Sequence, residues 1–449
     1  MPRLTCYGGV ARIGGNKFLL EDGDARIFLD MGQTFDFLED YFVDPWLLPR
    51  QRFGLRDYFA LDLMPRIPGL YDEAKLEDTG MDWEQPVFDG IFISHPHFDH
   101  IFHLQFIDRN IPVHLGETAR IITKAWEESA IRVNLGPHDY RTFRTGDTID
   151  VHGLEVEPIH VDHSVPGAYG FLIHTSEGTV VYTGDLRWHG PHGEMTDDFL
   201  EAATDAHPMA LITEGTRMAP KEKRKNYTEQ EVFEGAVDVI RGAQGRLVVA
   251  TSYPRDIDRM RTFYMASLEV GRQFITSART AFLLKALETD TGLRFPKVFR
   301  DYDAKAYFRN MLKESGWEKE LKEELGDRAV DARYIHEHQG EVVLQLDFTH
   351  LTELVDIDPT PGGHFIHSKS EPFEEEDIED AVLRAWLQRF ELHHHQLHAS
   401  GHASRSELET MVERMRPRKV VPIHTEHPQL FVGLAEKVEL PEVGKPIAL

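Results

Sequence analysis

The stretch Ile91-Phe92-Ile93-Ser94-His95-Pro96-His97-Phe98-Asp99-His100 decides the fold of this chain. An apolar run that is typical of a buried strand leads directly into three histidines and a carboxylate. Side chains two positions apart on extended chain project to the same side, so His95 and His97 can bind one metal ion while Asp99 and His100 reach a second. Neutral imidazole and carboxylate are the ligands that borderline divalent ions accept. The stretch therefore predicts two metal sites at the end of a strand.

The composition is that of an ordinary globular protein, with 449 residues, 41% of them hydrophobic and 28% charged. This length suggests about three units of ~150 residues. No apolar run approaches the ~18 residues that a membrane span needs. The N-terminal residues lack the basic and apolar regions of a signal peptide, so we expect a cytoplasmic protein.

Acidic side chains dominate the charge, because 76 Asp and Glu stand against 49 Lys and Arg and give a formal net charge of −27. Such a chain repels nucleic acid at long range. A polyanionic substrate would therefore have to be bound by metal ions and a locally basic groove. Cys6 is the only cysteine, which excludes internal disulfides and thiolate metal sites. Its apolar neighbours indicate a small core residue.

Other apolar segments also end in polar side chains that suit a metal site, namely Asp30, His163, Asp185, Glu214 and His424. Strand ends gathered at one sheet edge are a rigid way to build such a site. Local evidence leaves two alternatives open. Asp30, which precedes Met31 and Gly32, either orients a metal ligand or forms a turn, and His160 competes with His163 as the ligand.

The composition changes at the basic run 221–226, which we interpret as a solvated linker that begins a second unit. Beyond it, predicted helices over 229–241 and 257–270 alternate with strands, as in an inserted βα module that closes near residue 393. Further helices are predicted over 117–128 and 405–416. Residues 35–82 are expected to form an ordered surface excursion with a short helix, a covering loop in preference to the border of a substrate groove. The triplet 393–395 is expected to enter a strand in preference to forming a metal site.

In this order the motifs resemble those of the metallo-β-lactamase-fold hydrolases of the β-CASP nuclease group, and most closely the RNase J type. The resemblance covers nearly the whole chain. Asp30 matches the first motif of the superfamily, and the second is matched by His95 to His100. His163 in His-Ser-Val-Pro matches the third motif, and this match decides against His160. Asp185 matches the fourth motif. The three β-CASP motifs are matched by Glu214, by His402 in His-Ala-Ser-Gly-His, and by His424 in Pro-Ile-His-Thr-Glu.

The resemblance implies an α/β fold, a metallo-β-lactamase αββα sandwich with an inserted β-CASP domain. The expected sandwich spans residues 1–222 and returns over 394–449, and the β-CASP domain spans 223–393. One metal ion would be held by His95, His97 and His163. A second would be held by Asp99, His100 and His424, with Asp185 bridging the two. Zinc suits these ligands first and manganese second. Asp30 would not bind a metal ion itself but would orient one of the ligands by contacting it.

The resemblance also implies the roles of residues around the metal ions. His402 is the expected proton donor, with Glu214 orienting or charging it, and His398 and Ser400 would contact substrate phosphate. A further phosphate pocket is predicted from Ser368 and Ser370, against the alternative of an exposed turn after a strand.

The implied function is a metal-dependent ribonuclease on single-stranded RNA, a 5′ to 3′ exonuclease in preference to an endonuclease, acting as a homodimer. The alternatives are a DNA nuclease of the same fold and an inactive scaffold subunit. The complete set of expected ligands argues against the scaffold, because an inactive member would be expected to lose ligands.

Overall fold

The computed structural model of the chain describes residues 1–35, 41–43, 47–50, 54–130, 133–221, 225–292, 299, 304–311, 313–370 and 378–449. Among these residues, no helix combines the length and the apolar character that a membrane crossing requires. Most of the described chain belongs to three β-sheets and the helices that cover them.

The strands of the first half are β1 (Arg3–Cys6), β2 (Phe18–Asp22), β3 (Ala25–Leu29), β4 (Gly90–Ile93), β5 (Val113–Gly116), β6 (Tyr140–Phe143), β7 (Ile149–Val151), β8 (Leu154–His160), β9 (Tyr169–Thr175) and β10 (Gly178–Tyr182). Those of the second half are β11 (Ala210–Thr213), β12 (Val248–Ser252), β13 (Gln273–Ser277), β14 (Lys305–Tyr307), β15 (Ala329–Val330), β16 (Val342–Gln345), β17 (His364–Ser368), β18 (His393–Gln396), β19 (Val420–Pro422) and β20 (Pro446–Ala448).

The helices that the described residues form are α1 (Arg56–Ala60), α2 (Phe98–Ile101), α3 (Glu117–Ser129), α4 (Gly193–Asp205), α5 (Glu229–Gly242), α6 (Ile257–Glu269), α7 (Ala278–Leu287), α8 (Gly316–Leu325), α9 (Ala332–Glu337), α10 (Glu353–Ile357), α11 (Ile378–Arg389) and α12 (Arg405–Met415). Helices α3, α5, α6 and α12 match the predicted ones to within one residue at each end. Capping boxes begin α5 at Thr228 and α12 at Ser404, where a hydroxyl accepts from a backbone N–H of the first turn.

Two of the sheets face each other and enclose a common core. Their strand orders are β20-β1-β2-β3-β4-β5-β6 and β19-β11-β10-β9-β8-β7. Aromatic side chains from both sheets meet between them, with the ring of Phe171 6.0 Å from Phe92 and stacked 6.1 Å from Tyr182. Helix α3 covers the outer face of the first sheet, and α4 and α12 cover that of the second. The expected α/β class, with its αββα sandwich, is confirmed.

The direction of the strands brings several strand ends to one edge. In the first sheet β3, β4, β5 and β6 are mutually parallel. In the second sheet β11 is parallel to both β10 and β19. Because parallel neighbours end on the same side, the residues that follow β4, β10, β11 and β19 gather at one edge of the sandwich.

The described part of residues 35–82 covers the sandwich, as expected of a covering loop, but it is packed more deeply than a surface excursion. Leu55, Phe59, Leu70 and Tyr71 are buried in the cluster that covers the outer face of the first sheet. One helix, α3, does not cover that whole face, so this irregular segment completes the apolar layer. The predicted short helix is α1, while residues 36–40, 44–46 and 51–53 lie outside the described part of the chain.

The third sheet belongs to the inserted unit and has the order β15-β14-β13-β16-β12-β17-β18. All its strand pairs are parallel, and apolar clusters with helices lie on both faces. The triplet 393–395 does enter a strand, but β18 pairs with β17 as far as Gln396. The predicted domain limit at 393 therefore falls inside the third sheet. The other predicted limit lies in the basic run, whose residues 222–224 are outside the described part.

The core between the facing sheets yields the first prediction. Replacing Phe171, which is fully buried, by alanine removes aromatic contacts with both sheets and leaves a cavity. We expect the free energy of unfolding to fall by about 3–5 kcal/mol in a denaturant titration. Phe35, which is 53% exposed, is the matched control, and Phe35→Ala should change the stability by less than about 0.5 kcal/mol. Equal effects of the two substitutions would contradict the assignment of this core.

Candidate metal centre and active site

Every predicted metal ligand follows a strand of the sandwich. His95 and His97 come directly after β4, and Asp99 and His100 lie in the short helix α2 that continues it. The remaining ligands follow the strands of the second sheet: His163 after β8, Asp185 after β10 and His424 after β19. The structure brings all seven to the same edge, where their ligand atoms form two groups. Asp185 and His424 of the second group also form a third group with Glu214 and His402.

The first group consists of His95, His97 and His163. Nδ1 of His97 lies 3.0 Å from Nε2 of His95 and 3.0 Å from Nε2 of His163. Burial, together with neighbouring imidazoles, holds the pKa of His95 and of His163 well below the ordinary value. Burial likewise lowers the pKa of His97 to about 3. The three rings are therefore neutral at physiological pH, with lone pairs available to a metal ion.

The second group consists of Asp99, His100, Asp185 and His424. Nε2 of His424 lies 2.9 Å from Oδ2 of Asp99, and Nε2 of His100 lies 3.1 Å from Oδ2 of Asp185. The same Asp185 oxygen is 3.6 Å from Nε2 of His95 in the first group. Asp185 thus adjoins both groups, as the predicted bridging role requires.

The second group favours positive charge. Burial alone would lower the pKa of His100, but the carboxylates of Asp185, Asp99 and Asp30 raise it well above its ordinary value. Burial would raise the pKa of Asp185, but His100 and His424 lower it below its ordinary value. Among the atoms of this second group, two that are deeply buried, Nε2 of His100 and Oδ1 of Asp185, lack a hydrogen bond of ordinary geometry. Converging imidazole and carboxylate groups that favour positive charge and include unpartnered atoms fit divalent metal ions.

Several of these imidazoles are held by a partner on their other ring nitrogen. Nδ1 of His100 lies 2.7 Å from Asp30, whose carboxylate also accepts from the backbone N–H of Ser94 at 2.7 Å. Nδ1 of His163 is 2.5 Å from the carbonyl oxygen of Gly401. Asp30 therefore occupies the place that its predicted orienting role requires. Its backbone has a positive φ of 59°, a strained conformation that side-chain contacts must maintain.

Beside the second group lies the predicted catalytic pair, Glu214 and His402. Nδ1 of His402 is 3.0 Å from Oε2 of Glu214, and the other carboxylate oxygen accepts from the backbone N–H of Leu186 at 3.0 Å. Glu214 is fully buried, whereas the His402 side chain is 23% exposed. Burial would lower the pKa of His402, but the carboxylates of Glu214 and Asp185 raise it above its ordinary value. The ring can therefore hold a proton at the solvent side of the centre.

A polar pocket opens next to this pair, and the backbone N–H of His402 donates to Oγ of Ser400 in its wall at 3.1 Å. It is lined by Arg217, Lys225, Tyr227, Ser370, Gln396, His398 and Ser400. Three of the four predicted substrate-binding residues, Ser370, His398 and Ser400, are therefore brought together. The sequence interpretation missed Arg217 and Tyr227, and it interpreted Lys225 as part of a linker. The charge of the basic run was the signal that could have identified Lys225.

Ser368 does not line this pocket, and it does not lie in an exposed turn either. It is the last residue of β17 and is fully buried. Its hydroxyl contacts the Arg259 guanidinium and the carbonyl oxygen of Leu397. The predicted phosphate contact of Ser368 is therefore not supported by its position, because the hydroxyl is already used inside the protein. His160, at the end of β8, is also outside the metal groups and contacts Thr145.

Two buried arginines hold the loop that carries His398 and His402. Arg259 donates to the carbonyl oxygen of Ala399 at 3.0 Å, and Arg187 donates to that of Ser400 at 3.3 Å. Each is paired with an acid, Arg259 with Glu229 at 2.7 Å and Arg187 with Asp162 at 3.2 Å. No local pattern predicts these pairs, because their members are far apart along the chain.

Comparisons with known proteins agree with this geometry. Residues 69–253 match the beta-lactamase superfamily domain, and residues 389–439 match the Zn-dependent metallo-hydrolase RNA specificity domain. Ribonuclease J of Pyrococcus abyssi is 24% identical over 97% of this chain and 93% of its own length. Ribonuclease J 1 of Streptococcus pyogenes is 22% identical over 98% of this chain and 71% of its own length.

Ribonuclease J of Sinorhizobium meliloti is 25% identical over 81% of this chain, and the match spans only 62% of that relative's length. A crystal structure of a protein of unknown function from Enterococcus faecalis V583 has a TM-score of 0.80 and 23% identity, with both chains covered completely, and it shows the fold alone. With the two matched domains and the relatives, these findings confirm the resemblance: the chain carries a beta-lactamase superfamily domain and a Zn-dependent metallo-hydrolase RNA specificity domain, and over nearly its whole length it is similar to proteins named ribonuclease J.

Proposed function

We propose that this chain is a metal-dependent ribonuclease that hydrolyses phosphodiester bonds of single-stranded RNA from the 5′ end. The observation that carries the proposal is that one loop contributes to both the metal groups and the polar pocket. His398 and Ser400 of this loop line the pocket, and His402 lies beside the buried His and Asp groups. A reactive centre and a binding pocket are thereby placed side by side. The three relatives are named ribonuclease J, and one matched domain is described by RNA specificity, which supports RNA over DNA.

We further propose that the residues hold two divalent ions, zinc first and manganese second. One ion would be held by His95, His97 and His163. The other would be held by Asp99, His100 and His424, and Asp185 would contribute to both sites. The first group offers imidazole nitrogen alone, which suits zinc, and the description of the second matched domain supports the same ion. When bound, the ions supply an activated water and neutralise charge on the phosphate that is attacked.

The side chains of this chain supply the remaining steps. Attack on phosphorus breaks the bond to the 3′ oxygen, and His402 gives that oxygen the proton it needs to leave. Glu214, 3.0 Å from Nδ1 of His402, fixes the ring so that Nε2 is free to serve the substrate. The products are a 3′ hydroxyl and a 5′ phosphate.

The pocket accounts for the proposed direction of cleavage. Arg217 and Lys225 carry positive charge, and Ser370, His398 and Ser400 offer hydrogen bonds, which together suit a terminal phosphate. Every cleavage leaves a new 5′ phosphate on the remaining strand, and that end can occupy the same pocket for the next cycle. Assembly into a homodimer and a cytoplasmic location stay predictions.

Metal content provides a direct test of the centre. Asp185→Asn removes the carboxylate that adjoins both groups, so we expect it to hold less than the ~2 equivalents of metal per chain expected of the unaltered protein. The unaltered protein should lose thermal stability when a chelator is added, because a ligand present at 100 times its Kd stabilises by about 2.7 kcal/mol. Elemental analysis after dialysis and thermal unfolding measure both effects.

His152→Ala is the control for this test, because the His152 side chain is 63% exposed and lies outside the metal groups. It should match the unaltered protein in both measurements. Equal metal content in Asp185→Asn and His152→Ala would contradict the ligand assignment.

His97→Ala tests the link between the centre and the reaction. This substitution removes the imidazole that lies 3.0 Å from two others, so we expect hydrolysis of single-stranded RNA to fall roughly a thousandfold or more. Binding of the RNA should be largely retained, since the pocket is untouched. Turnover is measured with labelled RNA, and normal turnover by His97→Ala would exclude this site as the active centre.

The mode of cleavage is tested with one RNA sequence labelled separately at its 5′ and 3′ ends and carrying a 5′ monophosphate or triphosphate. We expect mononucleotides from the 5′ label, gradual shortening of the 3′-labelled strand, and a preference for the monophosphate. Single-stranded DNA of the same sequence should be cut more slowly. Discrete internal fragments from both labels would instead show an endonuclease. Faster cleavage of the DNA than of the RNA would show a DNA nuclease. A protein that binds metal but cleaves neither nucleic acid would favour the scaffold alternative.

A further inference from the structure

The loop that joins β12 to α6 contacts the pocket and also carries a charge that acts on the candidate metal centre. At its start Tyr253 is 44% exposed, and its ring lies 6.3 Å from that of His398 in the pocket. Two residues later, the guanidinium of Arg255 lies over the indole of Trp126, 4.1 Å from the ring centroid. Because Trp126 belongs to α3, this contact connects the inserted unit to the sandwich.

Trp126 is part of a row of aromatic rings that begins within the metal-binding motif. Its ring lies 6.2 Å from that of Phe102, and Phe102 lies 4.3 Å from Phe98, the residue between His97 and Asp99. The row is built from α2, the turn that follows it, and α3. The guanidinium stacked on its last ring is therefore held beside the centre by packing within the sandwich.

The charge of Arg255 acts on the centre. It is the largest influence after burial that lowers the pKa of His97. The half-buried position lowers the pKa of Arg255 itself to about 10, while Asp99 acts in the opposite direction. The guanidinium therefore keeps its positive charge at neutral pH.

Among the described residues, no carboxylate forms an ion pair with this guanidinium. Across the part of the chain that the structure describes, the Arg255 side chain has neither a hydrogen bond nor an ion pair, and Asp99, the acid that acts on it, is assigned to the metal centre. The two fully buried arginines differ, since Arg187 and Arg259 each lie within 3.2 Å of an acid. A partly desolvated cation without a counterion is unfavourable, and an anion that binds there removes the penalty.

We infer that Arg255 binds a backbone phosphate of the single-stranded substrate where the strand passes from the pocket to the metal centre. A planar guanidinium offers paired N–H donors that match two oxygens of a phosphate, and stacking on Trp126 fixes its plane before the substrate arrives. The inference rests on the proposed function and deepens it, because it assigns a substrate contact to a residue outside the motifs.

The test compares Arg255→Ala and Arg255→Lys with the unaltered protein, with Arg120→Ala as the matched control. Arg120 belongs to the same helix as Trp126 and lies over the ring of Tyr140 at 4.0 Å, but it is paired with Glu127 at 3.6 Å. It therefore controls for the loss of one positive charge and one stacked arginine. Thermal unfolding verifies that each variant is folded.

Two measurements are made with one 5′-monophosphorylated single-stranded RNA. The first is kcat and KM for its cleavage. The second is the affinity of each protein for this RNA at several KCl concentrations, measured by fluorescence anisotropy. For this measurement every protein also carries the substitution His402→Ala, which prevents cleavage. We expect Arg255→Ala to weaken the affinity about ten- to a hundredfold, as the loss of a charged hydrogen bond does.

The salt dependence identifies the contact as one to phosphate. In Arg255→Ala the slope of log affinity against log salt concentration should fall by about 0.7, the value for one phosphate contact on a single strand. Arg255→Lys should restore the slope but only part of the affinity. If Arg255→Ala matches Arg120→Ala in KM, affinity and slope while the unaltered protein cleaves RNA, the inference is overturned and the proposed function stands. If the unaltered protein neither binds nor cleaves the RNA, the proposed function itself fails.

Discussion

A carboxylate buried among imidazoles imposes the main constraint on this molecule. Asp185 is withdrawn from water at the end of β10, with His100 at 3.1 Å and His95 at 3.6 Å. An isolated buried charge would be expelled or neutralised, so it persists only where compensating groups are held in place. The parallel arrangement of β10, β11 and β19 meets this need, because each strand ends at the same edge and delivers one polar side chain there. The rest of the sandwich provides the rigidity that keeps these groups together.

The sequence allowed the metal groups to be predicted, because their signal is local. In His95 to His100 the residue types and their spacing lie within one strand end, and no distant contact is needed to interpret them. The choice of His163 over His160 came only from the resemblance, since both lie at the end of the same strand. Ser368 shows the opposite case, because the residue that buries it, Arg259, is 109 positions away along the chain. The pocket residues and the apolar layer at 54–82 were likewise unpredictable, since isolated side chains from irregular segments leave no periodic pattern.

Charge is distributed in two different ways over this protein. The chain as a whole has a net charge of −27, and such a field keeps other polyanions at a distance. Next to the candidate centre, however, Arg217 and Lys225 line the pocket and Arg255 lies over Trp126. Attraction that is confined to a narrow path favours a thin, flexible strand over a rigid duplex, because only the strand can bring its phosphates close to the cations while avoiding the acidic surface. The overall acidity is thus compatible with a nucleic-acid substrate.

The order of the elements along the chain has a consequence for protein synthesis. The sandwich is interrupted by the inserted unit, so His402 and His424 follow more than 150 residues after Glu214, and β19 must reach β11 before His424 meets Asp99. A nascent chain that has emerged only as far as the third sheet therefore carries an incomplete centre. For a protein proposed to cut RNA this timing matters, because the template being translated is itself a single strand within reach. The interruption delays the assembly of the centre until the inserted unit and β19 have both left the ribosome.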